Sequence, residues 1–324
     1  MKVGLVMPTY PWFRGDDIWA MCDKAKQVGI PSLFFVDHII LTPKQSTDQG
    51  GGRTDVWTAM AYVAAVTNVM GWRPTLGQCA AVVPYRPPIQ QAKIAATVDS
   101  LSGGRLMIGA GTGYMESEFK ALGLDIAQRS DMADEYIKAM VELWTNPVAS
   151  FHGKYVNFDE MTISVRPVQQ PHPPILVVAR GARPLQRIAT FCQGWLDYAA
   201  RDPNDIKVTE SGWAEIQALW RANGRTGEPY LAIGPKRCHL VTRMRSTMAQ
   251  EVQAGQEYPG HVASFAITRP SDLLQQIRTY ADIGAKEFVV WLPSYPYRGA
   301  DSLGTLLNQI DILGEHVLPK VSRD

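Results

Sequence analysis

Short apolar runs alternate along the chain with longer segments whose apolar residues recur at helical spacing, such as 16–29, 55–68 and 87–102. This alternation is typical of a parallel sheet built from βα units. The short runs predict strands at residues 2–7, 32–38, 73–83, 105–111, 173–179, 194–200, 236–243 and 286–293. Eight strands with helices between them predict an α/β protein with the (β/α)8 or TIM barrel fold. A doubly wound open sheet is the alternative.

Three segments depart from the alternation. Residues 151–160 predict a small β-hairpin that turns at Gly153. The segments 39–54 and 244–265 predict long loops, which we expect to cover one end of the barrel as lids rather than to separate domains. We therefore expect one domain over residues 1–324.

Composition and charge exclude several classes of function. The 324 residues carry 32 basic and 31 acidic side chains, a balance that does not favour binding to nucleic acid or to anionic membranes. The four cysteines show no paired spacing, and the histidines show no metal-ligand spacing. The first apolar run stops at Pro8, and no apolar stretch approaches the ~18 residues of a membrane span. We expect a cytoplasmic protein without a metal site.

One stretch, GAGTGYMESEF at residues 109–119, has a glycine at every second position and then a predicted helix. A dinucleotide-binding loop requires the spacing G-x-G-x-x-G, with an acidic residue about 20 positions further on. The observed spacing is G-x-G-x-G on the fourth predicted strand, so it does not match. Small residues here indicate a close approach of the backbone to a ligand or to a neighbouring strand.

Polar residues at the carboxyl ends of the strands are the candidates for function, because barrels carry their chemistry there. Asp37 and His38 end the second predicted strand and form the best acid/base candidate, since histidine exchanges protons near neutral pH. A helix-capping aspartate beside a buried histidine is the alternative. Arg180 and Gly181 lie between a strand and a helix start, where backbone N–H groups and an arginine predict an anion site.

Arg105 opens a predicted strand and therefore belongs to the opposite, amino-terminal face of the barrel. We expect it to pair with a carboxylate such as Asp99 or Asp125. Aromatic residues near strand ends predict either an apolar substrate pocket or ordinary core packing. They are Trp12, Phe13, Tyr85, Trp291, Tyr295 and Tyr297.

Several motifs together resemble one protein family, the bacterial luciferase-like flavin oxidoreductases. They are VDH, VVPYRPPIQQAKIAATVDSLSGGRLMIGAGTGYMESEFKALGLD, RSDMADEYIKAMVELWT, FHGKYVNF and RPVQQPHPPILVVARG. The resemblance implies a (β/α)8 barrel that binds reduced FMN or coenzyme F420 at the carboxyl ends of its strands. It also implies a non-proline cis peptide after strand three, which by position would join Cys79 and Ala80.

The resemblance assigns roles to residues at that end of the barrel. Asp37 and His38 match a pair that contacts the deazaflavin and handles protons in F420-dependent members. Thr112 and Gly113 match a backbone stretch that lies beside the coenzyme ring.

Two further positions depart from the family pattern. Arg180 and Gly181 match two glycines whose amides hold the coenzyme phosphate, with an arginine in place of the first glycine. Tyr114 stands where sugar-phosphate dehydrogenases of the family carry a catalytic glutamate, and a phenol with a pKa of about 10 is a poor substitute for that acid. The resemblance therefore implies a substrate other than a sugar phosphate.

The resemblance leaves three functions open. The glycine form GAGTGY favours hydride transfer between coenzyme F420 and a small organic substrate. The alternative is an FMNH₂-dependent monooxygenase that uses O₂ through a flavin hydroperoxide and takes its flavin from a partner reductase. A third possibility is an accessory subunit without activity. Family members are commonly homodimers, and the apolar helices at 57–66 and 89–98 are candidates for such an interface.

Overall fold

The structure, a computed structural model, describes residues 1–48, 52–198, 205–242, 266–292 and 302–321. Its strands are β1 Lys2–Val6, β2 Ser32–Phe35, β3 Thr75–Gln78, β4 Ala81–Val82, β5 Leu106–Gly111, β6 Ala149–His152, β7 Asn157–Met161, β8 Ile175–Val178, β9 Gly194–Asp197, β10 Tyr230–Leu240, β11 Ala266–Thr268 and β12 Glu287–Trp291. Its α-helices are α1 Gly15–Gln27, α2 Pro43–Asp48, α3 Val56–Val69, α4 Pro88–Ser102, α5 Glu116–Ala121, α6 Arg129–Thr145, α7 Ala182–Phe191, α8 Asp205–Ala222, α9 Pro270–Asp282, α10 Ser302–His316 and α11 Leu318–Val321.

Parallel strands close into a barrel in the order β1-β2-β3-β5-β8-β9-β10-β12, and β12 returns to pair with β1. The pairing Leu5↔Val290 joins one side of β1 to β12, and Leu5↔Leu33 joins its other side to β2. A strand paired on both sides has no free edge, so the predicted (β/α)8 barrel is confirmed and the open sheet is excluded. None of the helices within the described ranges is long and apolar enough to cross a membrane.

Two predicted strands differ from the observed ones. The segment 73–83 is divided into β3 and β4 at a cis peptide bond between Cys79 and Ala80. Strand β10 begins at Tyr230, well before the predicted start at residue 236. Pro235 cannot donate to a strand ladder and interrupts the pattern, and the pairing shifts register between Ile233 and Lys236. A register shift of this kind lets one strand continue past a proline.

The predicted hairpin is confirmed, because β6 and β7 pair antiparallel and the Gly153 N–H donates to the Val156 carbonyl across the turn. Within the predicted loop 39–54, the structure forms the short helix α2. The predicted loop 244–265 lies outside the described residues. Whether either segment covers the barrel as a lid stays a prediction.

The core has two layers, one inside the barrel and one between the strands and the helices. The barrel interior holds Val6, Phe34, Val36, Cys79, Met107, Leu176, Leu196, Ala232, Val289 and Trp291. The outer layer takes up the apolar residues of α3 and α4, including Trp57, Met60, Val63, Ala92 and Ala95. The apolar pattern of these two helices therefore arises from packing within the chain, and the predicted dimer remains a prediction.

Arg105 lies buried on the amino-terminal side of the barrel, as predicted, but pairs with neither Asp99 nor Asp125. Its guanidinium donates to the Thr67 hydroxyl, the Asn68 side-chain oxygen and the carbonyls of Ala64, Pro74 and Ser102. Carbonyl and hydroxyl oxygens satisfy a buried guanidinium as a carboxylate would. The expected ion pair is therefore wrong.

Asp99 is buried and engaged elsewhere. Its carboxylate accepts from the backbone N–H groups of Val168 and Gln169. The Gln169 side-chain amide donates to the same carboxylate. Asp99 therefore anchors the chain that leads into β8.

The glycines of the 109–119 stretch lie close to neighbouring atoms of the protein itself. A Cβ atom added to Gly109 would lie 1.8 Å from the Gln78 carbonyl oxygen, and one at Gly111 would lie 3.0 Å from the Ala80 Cβ. Gly113 has φ +78°, and its Cβ would lie 2.7 Å from Val82 Cγ1. Of the two interpretations of the sequence, close approach to a neighbouring strand is the one that these contacts support.

Replacing Gly109 with alanine should destabilise the fold by at least about 3 kcal/mol, the upper end of the cost of overpacking, because the obstructing atom belongs to the backbone. The matched control is Gly224→Ala, at φ +67° with nothing within 4 Å. That change should cost only about 1 kcal/mol of backbone strain. Urea unfolding of both variants measures the difference, and equal losses would contradict the steric account.

Candidate active site

Asp37 follows β2 at the carboxyl end of the barrel, and its carboxylate is fully buried. Arg86 donates to both of its oxygens, at 2.7 and 3.0 Å, and the Val82 N–H donates to one of them at 3.1 Å. Arg86 also donates to Asp55, the residue that caps α3, at 2.8 Å. Two-point pairing with an arginine holds a carboxylate in one position. The arrangement makes Asp37 an anchor for the end of β2.

His38 comes next and is held by Glu118 of α5. Its Nδ1 lies 2.9 Å from Glu118 Oε2, and the Tyr85 hydroxyl donates to the same oxygen at 3.0 Å. The Ile39 N–H donates to the other oxygen at 2.8 Å. Although burial acts to raise the pKa of the Glu118 carboxyl, the bonds from His38, Ile39 and Tyr85 hold that pKa below its usual range.

The ionisation of Glu118 determines which nitrogen of the His38 imidazole carries a proton. An ionised carboxylate only accepts hydrogen bonds, so Nδ1 of His38 carries the proton that it shares with Glu118. This leaves Nε2 of His38 as the atom able to give or take a proton at a bound ligand. A carboxylate that fixes the tautomer and the ring orientation of a histidine is a common way to prepare a general acid or base.

Glu118→Gln tests the lowered pKa, because it keeps the shape and removes the charge. A carboxyl whose folded pKa lies below its unfolded value adds stability above the unfolded pKa and loses it as the pH falls through the folded pKa. The stability advantage of the wild type over Glu118→Gln should therefore be constant down to about pH 4.3 and shrink below it. Urea unfolding from about pH 5 downwards measures it. An advantage that grows on acidification would contradict the assignment.

Tyr114, the other residue with a side-chain ring that was predicted for this site, lies beside His38. Tyr114 is exposed, and its ring meets the His38 ring edge-on with 6.3 Å between centroids. Thr112 and Gly113 precede it at the end of β5, where Gly113 packs against Val82. The structure thus brings His38 and Tyr114 together at one side of the barrel mouth.

The expected non-proline cis peptide between Cys79 and Ala80 is present. The Tyr198 hydroxyl, beyond β9, donates to the Cys79 carbonyl. Burial raises the pKa of the Cys79 thiol, which opposes formation of a reactive thiolate. Cys79 therefore contributes backbone to the mouth rather than a nucleophile.

The Arg180 side chain, at the mouth of the barrel, is paired with Asp197. Its Nε donates to Asp197 Oδ1 at 2.7 Å, and its Nη2 donates to Oδ2 at 3.3 Å. The Thr209 hydroxyl also donates to this buried Asp197, at 2.7 Å. The predicted arginine is thus present at the strand end, where an aspartate compensates its charge.

Gly181, the next residue, provides the features of an anion site. It precedes α7 with φ +107°, no side chain caps the helix start, and a Cβ on Gly181 would meet nothing within 4 Å. Helix starts present unpaired backbone N–H groups and a positive dipole end. This open and uncapped start fits the phosphate of a flavin-type coenzyme.

The sequence did not predict roles for Glu118 and Arg86, which are the partners of His38 and Asp37. Both lie far from them in the chain, and barrel closure brings them together. One signal was present, because Glu118 stands four residues after Tyr114 on the helix that follows the glycine-rich strand. Within the described ranges, no group of three His, Cys, Asp or Glu residues is placed to hold a metal ion.

Two curated proteins show the breadth of the chain's relatives. The F420-dependent hydroxymycolic acid dehydrogenase of Mycobacterium tuberculosis is 29% identical over 72% of this chain and 63% of its own length. The pyrimidine monooxygenase RutA of Allorhizobium ampelinum is 29% identical over 55% of this chain and 48% of its own length. The alignments thus span between about half and two thirds of these relatives, one of which is named as an F420-dependent dehydrogenase and the other as a monooxygenase.

A solved structure and a family model agree on the architecture. The monooxygenase RslO1 from Streptomyces bottropensis superposes with a TM-score of 0.81 over 99% of this chain and all of its own, at 20% identity. At that identity the likeness concerns the fold alone. The model of the luciferase-like monooxygenases matches residues 6–286, which is most of the chain. The chain therefore belongs to the luciferase-like family of oxidoreductases, whose members depend on a flavin or on coenzyme F420.

Proposed function

We propose that the chain binds coenzyme F420 at the carboxyl end of its barrel and catalyses hydride transfer to or from a small organic substrate. The observation that most directly supports this proposal is the hydrogen bond between His38 Nδ1 and Glu118, which fixes the position of the imidazole. Hydride transfer at a carbon bonded to oxygen requires a proton at that oxygen. The Nε2 atom of His38, the ring nitrogen that Glu118 does not hold, would supply or accept it.

The residues at the mouth fit a coenzyme of this kind. The uncapped start of α7 beside Gly181 would hold the phosphate, with Arg180 and Asp197 bracing the strand ends next to it. The backbone of Cys79 and Ala80, together with Thr112 and Gly113, would border the ring. Coenzyme F420, when bound, supplies or accepts the hydride at a ring carbon.

The residues of the site would have different roles. Asp37 and Arg86 hold the end of β2 in place, and Glu118 orients His38. Tyr114, exposed beside His38, would contact the substrate. The hydroxymycolic acid dehydrogenase relative, aligned over 72% of the chain, supports the choice of coenzyme F420.

Calorimetric titration of the coenzyme-free chain with F420 and with FMN, side by side, tests the proposal. We expect F420 to bind more tightly than FMN. A third titration with the deazaflavin riboside, which lacks the phosphate, should show weaker binding than F420 because the start of α7 loses its anion. Tight binding of FMN without binding of F420 would overturn the proposal. Binding of neither coenzyme would favour an accessory subunit.

The second candidate is an FMNH₂-dependent monooxygenase supplied by a separate reductase. The pyrimidine monooxygenase RutA, at 29% identity over 55% of the chain, favours it. Oxygen consumption distinguishes the two candidates, because deazaflavins react poorly with O₂. Substrate-dependent uptake of O₂ with FMNH₂ and a reductase would establish this second function. Its absence, together with reduction of F420 by a substrate, would establish the first.

A further inference from the structure

The Glu118 carboxylate accepts two hydrogen bonds at each of its oxygens. Oε1 accepts from the backbone N–H groups of Ile39 at 2.8 Å and of Ile40 at 3.2 Å. Oε2 accepts from Nδ1 of His38 at 2.9 Å and from the Tyr85 hydroxyl at 3.0 Å. An ionised carboxylate has room for about four donors, so these four bonds saturate it. The side chain of Glu118 is fully buried and has no lone pair left for a ligand.

Packing of its own ring holds Tyr85 in this position. Tyr85 ends a short 3-10 helix, Val83–Tyr85, which follows β4, and the residue is buried. Its ring meets the Phe119 ring edge-on with 5.1 Å between centroids, in a small apolar cluster that also contains Val82. Close packing of this kind fixes the ring, and the ring fixes the hydroxyl beside Glu118.

The Tyr85 hydroxyl keeps its proton throughout the pH range in which histidines titrate. Burial raises the pKa of this phenol, and the neighbouring charge of Glu118 raises that pKa further. Asp37 and Tyr114 add smaller effects of the same sign. Because an ionised carboxylate only accepts hydrogen bonds, the phenol proton points to Glu118. Tyr85 is therefore a permanent donor to the carboxylate that holds His38.

Tyr85 and His38 donate to the same oxygen, Oε2 of Glu118, and therefore compete for its negative charge. A nearby carboxylate favours the protonated imidazolium over the neutral imidazole. A hydrogen bond to the carboxylate stabilises its charge and makes it less basic. The Tyr85 hydroxyl thus weakens the attraction between Glu118 and the imidazolium. With that attraction reduced, Nε2 of His38 releases its proton at a lower pH than it would without the hydroxyl.

The other titratable groups described near His38 are Asp37 and Tyr114. Asp37 precedes it in the chain, and Arg86 donates to both oxygens of that carboxylate. Tyr114 meets the imidazole edge-on with 6.3 Å between ring centroids. Of the described side chains, Glu118 is the acid bonded to the imidazole. A change in the basicity of Glu118 therefore reaches Nε2 directly.

We infer that Tyr85 is a positioning residue that acts through Glu118 and sets the pH range in which Nε2 of His38 exchanges its proton. This inference rests on the proposed function for the part that His38 plays in the reaction. It deepens that function, because the sequence predicted only a pocket wall or core packing for Tyr85. The hydroxyl gives the residue a role that a phenylalanine in its place would not fill.

An NMR titration of the coenzyme-free chain tests the inference, with isotope-labelled histidine and with His38→Ala used to assign the His38 signals. Tyr85→Phe removes the hydroxyl and keeps the ring. We expect this change to move the midpoint of the His38 titration up by about half a pH unit or more, a fraction of the roughly 1–3 units by which an opposite charge shifts a titration. An unchanged midpoint would overturn the inference.

A matched control comes from the opposite end of the barrel. The Tyr230 hydroxyl donates to the buried Glu287 at 3.1 Å, and both residues begin strands. Tyr230→Phe therefore removes a comparable bond between a tyrosine and a glutamate, and it should leave the His38 midpoint unchanged. An equal shift in this control would show that Tyr85 has no specific effect and would overturn the inference.

A double variant shows whether the effect passes through Glu118. In the Glu118→Gln background, which lacks the carboxylate charge, Tyr85→Phe should move the His38 midpoint clearly less than it does in the wild type. An undiminished shift would contradict the inferred route. If Tyr85→Phe fails to fold, 3-fluorotyrosine placed at position 85 decides instead. This more acidic phenol is a stronger donor and should move the midpoint down, and a midpoint that stays or rises would overturn the inference.

The pH profile of turnover is the second measurement. When His38 donates the proton in carbonyl reduction, the alkaline limb of the profile in Tyr85→Phe should move up with the NMR midpoint, while KM for the coenzyme stays close to that of the wild type. A merely structural role would lower the rate without moving the limb. A shifted NMR midpoint in a chain that binds only FMN would retain the role of Tyr85 and lose the proposed F420 function. Binding of F420 with an unchanged midpoint would do the reverse, so the two failures are distinguishable.

Discussion

His38→Ala should lower the turnover number by about 10²–10⁴-fold while coenzyme affinity stays close to that of the wild type. The expected loss follows from removing Nε2, the atom that Glu118 prepares for proton exchange. The rate is measured as oxidation of reduced coenzyme F420 by a carbonyl substrate found by screening small organic compounds, and the affinity is measured by calorimetry.

Two comparisons make this experiment specific. His152→Ala removes an exposed histidine of the β6–β7 hairpin, paired with Asp159, and should leave the rate unchanged. The double variant His38→Ala with Glu118→Gln should be no slower than His38→Ala alone, because Glu118 acts through His38. A wild-type rate in His38→Ala would remove the histidine from the mechanism.

Arg86→Met should destabilise the chain by about 3–5 kcal/mol, the cost of leaving a buried carboxylate without its partner. The Asp37 side chain is fully buried, and that of Arg86 is 11% exposed. After the substitution, the hydrogen bond from the Val82 N–H is the one remaining contact to Asp37 that the structure describes. Urea unfolding measures the loss.

A double variant distinguishes the cost of burying an unpaired charge from the cost of the lost packing. Asp37→Asn combined with Arg86→Met should recover part of the stability, because no uncompensated charge is then buried. A loss as large in the double variant as the sum of the two single losses would contradict the buried pair.

Patterns among residues close together in the sequence predicted the strands, the helices and the hairpin turn. Alternating strands and helices predicted the barrel, and Gly153 predicted the hairpin turn. Asp37 and His38 were predicted as site residues because a strand end is visible in the sequence, and the structure ends β2 just before them. Where a residue interrupts a pattern without ending the element, as Pro235 does within β10, the prediction was wrong.

Pairings between distant residues were less predictable. Arg105 was expected to meet a carboxylate, yet carbonyl and hydroxyl oxygens bind it. A guanidinium accepts several kinds of oxygen as partner, so residue type alone does not identify the one that it meets. The glycines of the 109–119 stretch likewise fitted either a ligand or a strand, and the Gln78 carbonyl beside Gly109 favours the strand.

By itself, the sequence determined the barrel, the family resemblance and the end of the barrel at which chemistry is expected, because periodicity and strand order are properties of neighbouring residues. Only the tertiary structure decided that Glu118 orients His38 and that Arg86 holds Asp37. The physical reason is closure of the barrel, which brings the ends of separate strands within hydrogen-bonding distance. Hydrogen-bond partners and charges acquire their roles from that proximity.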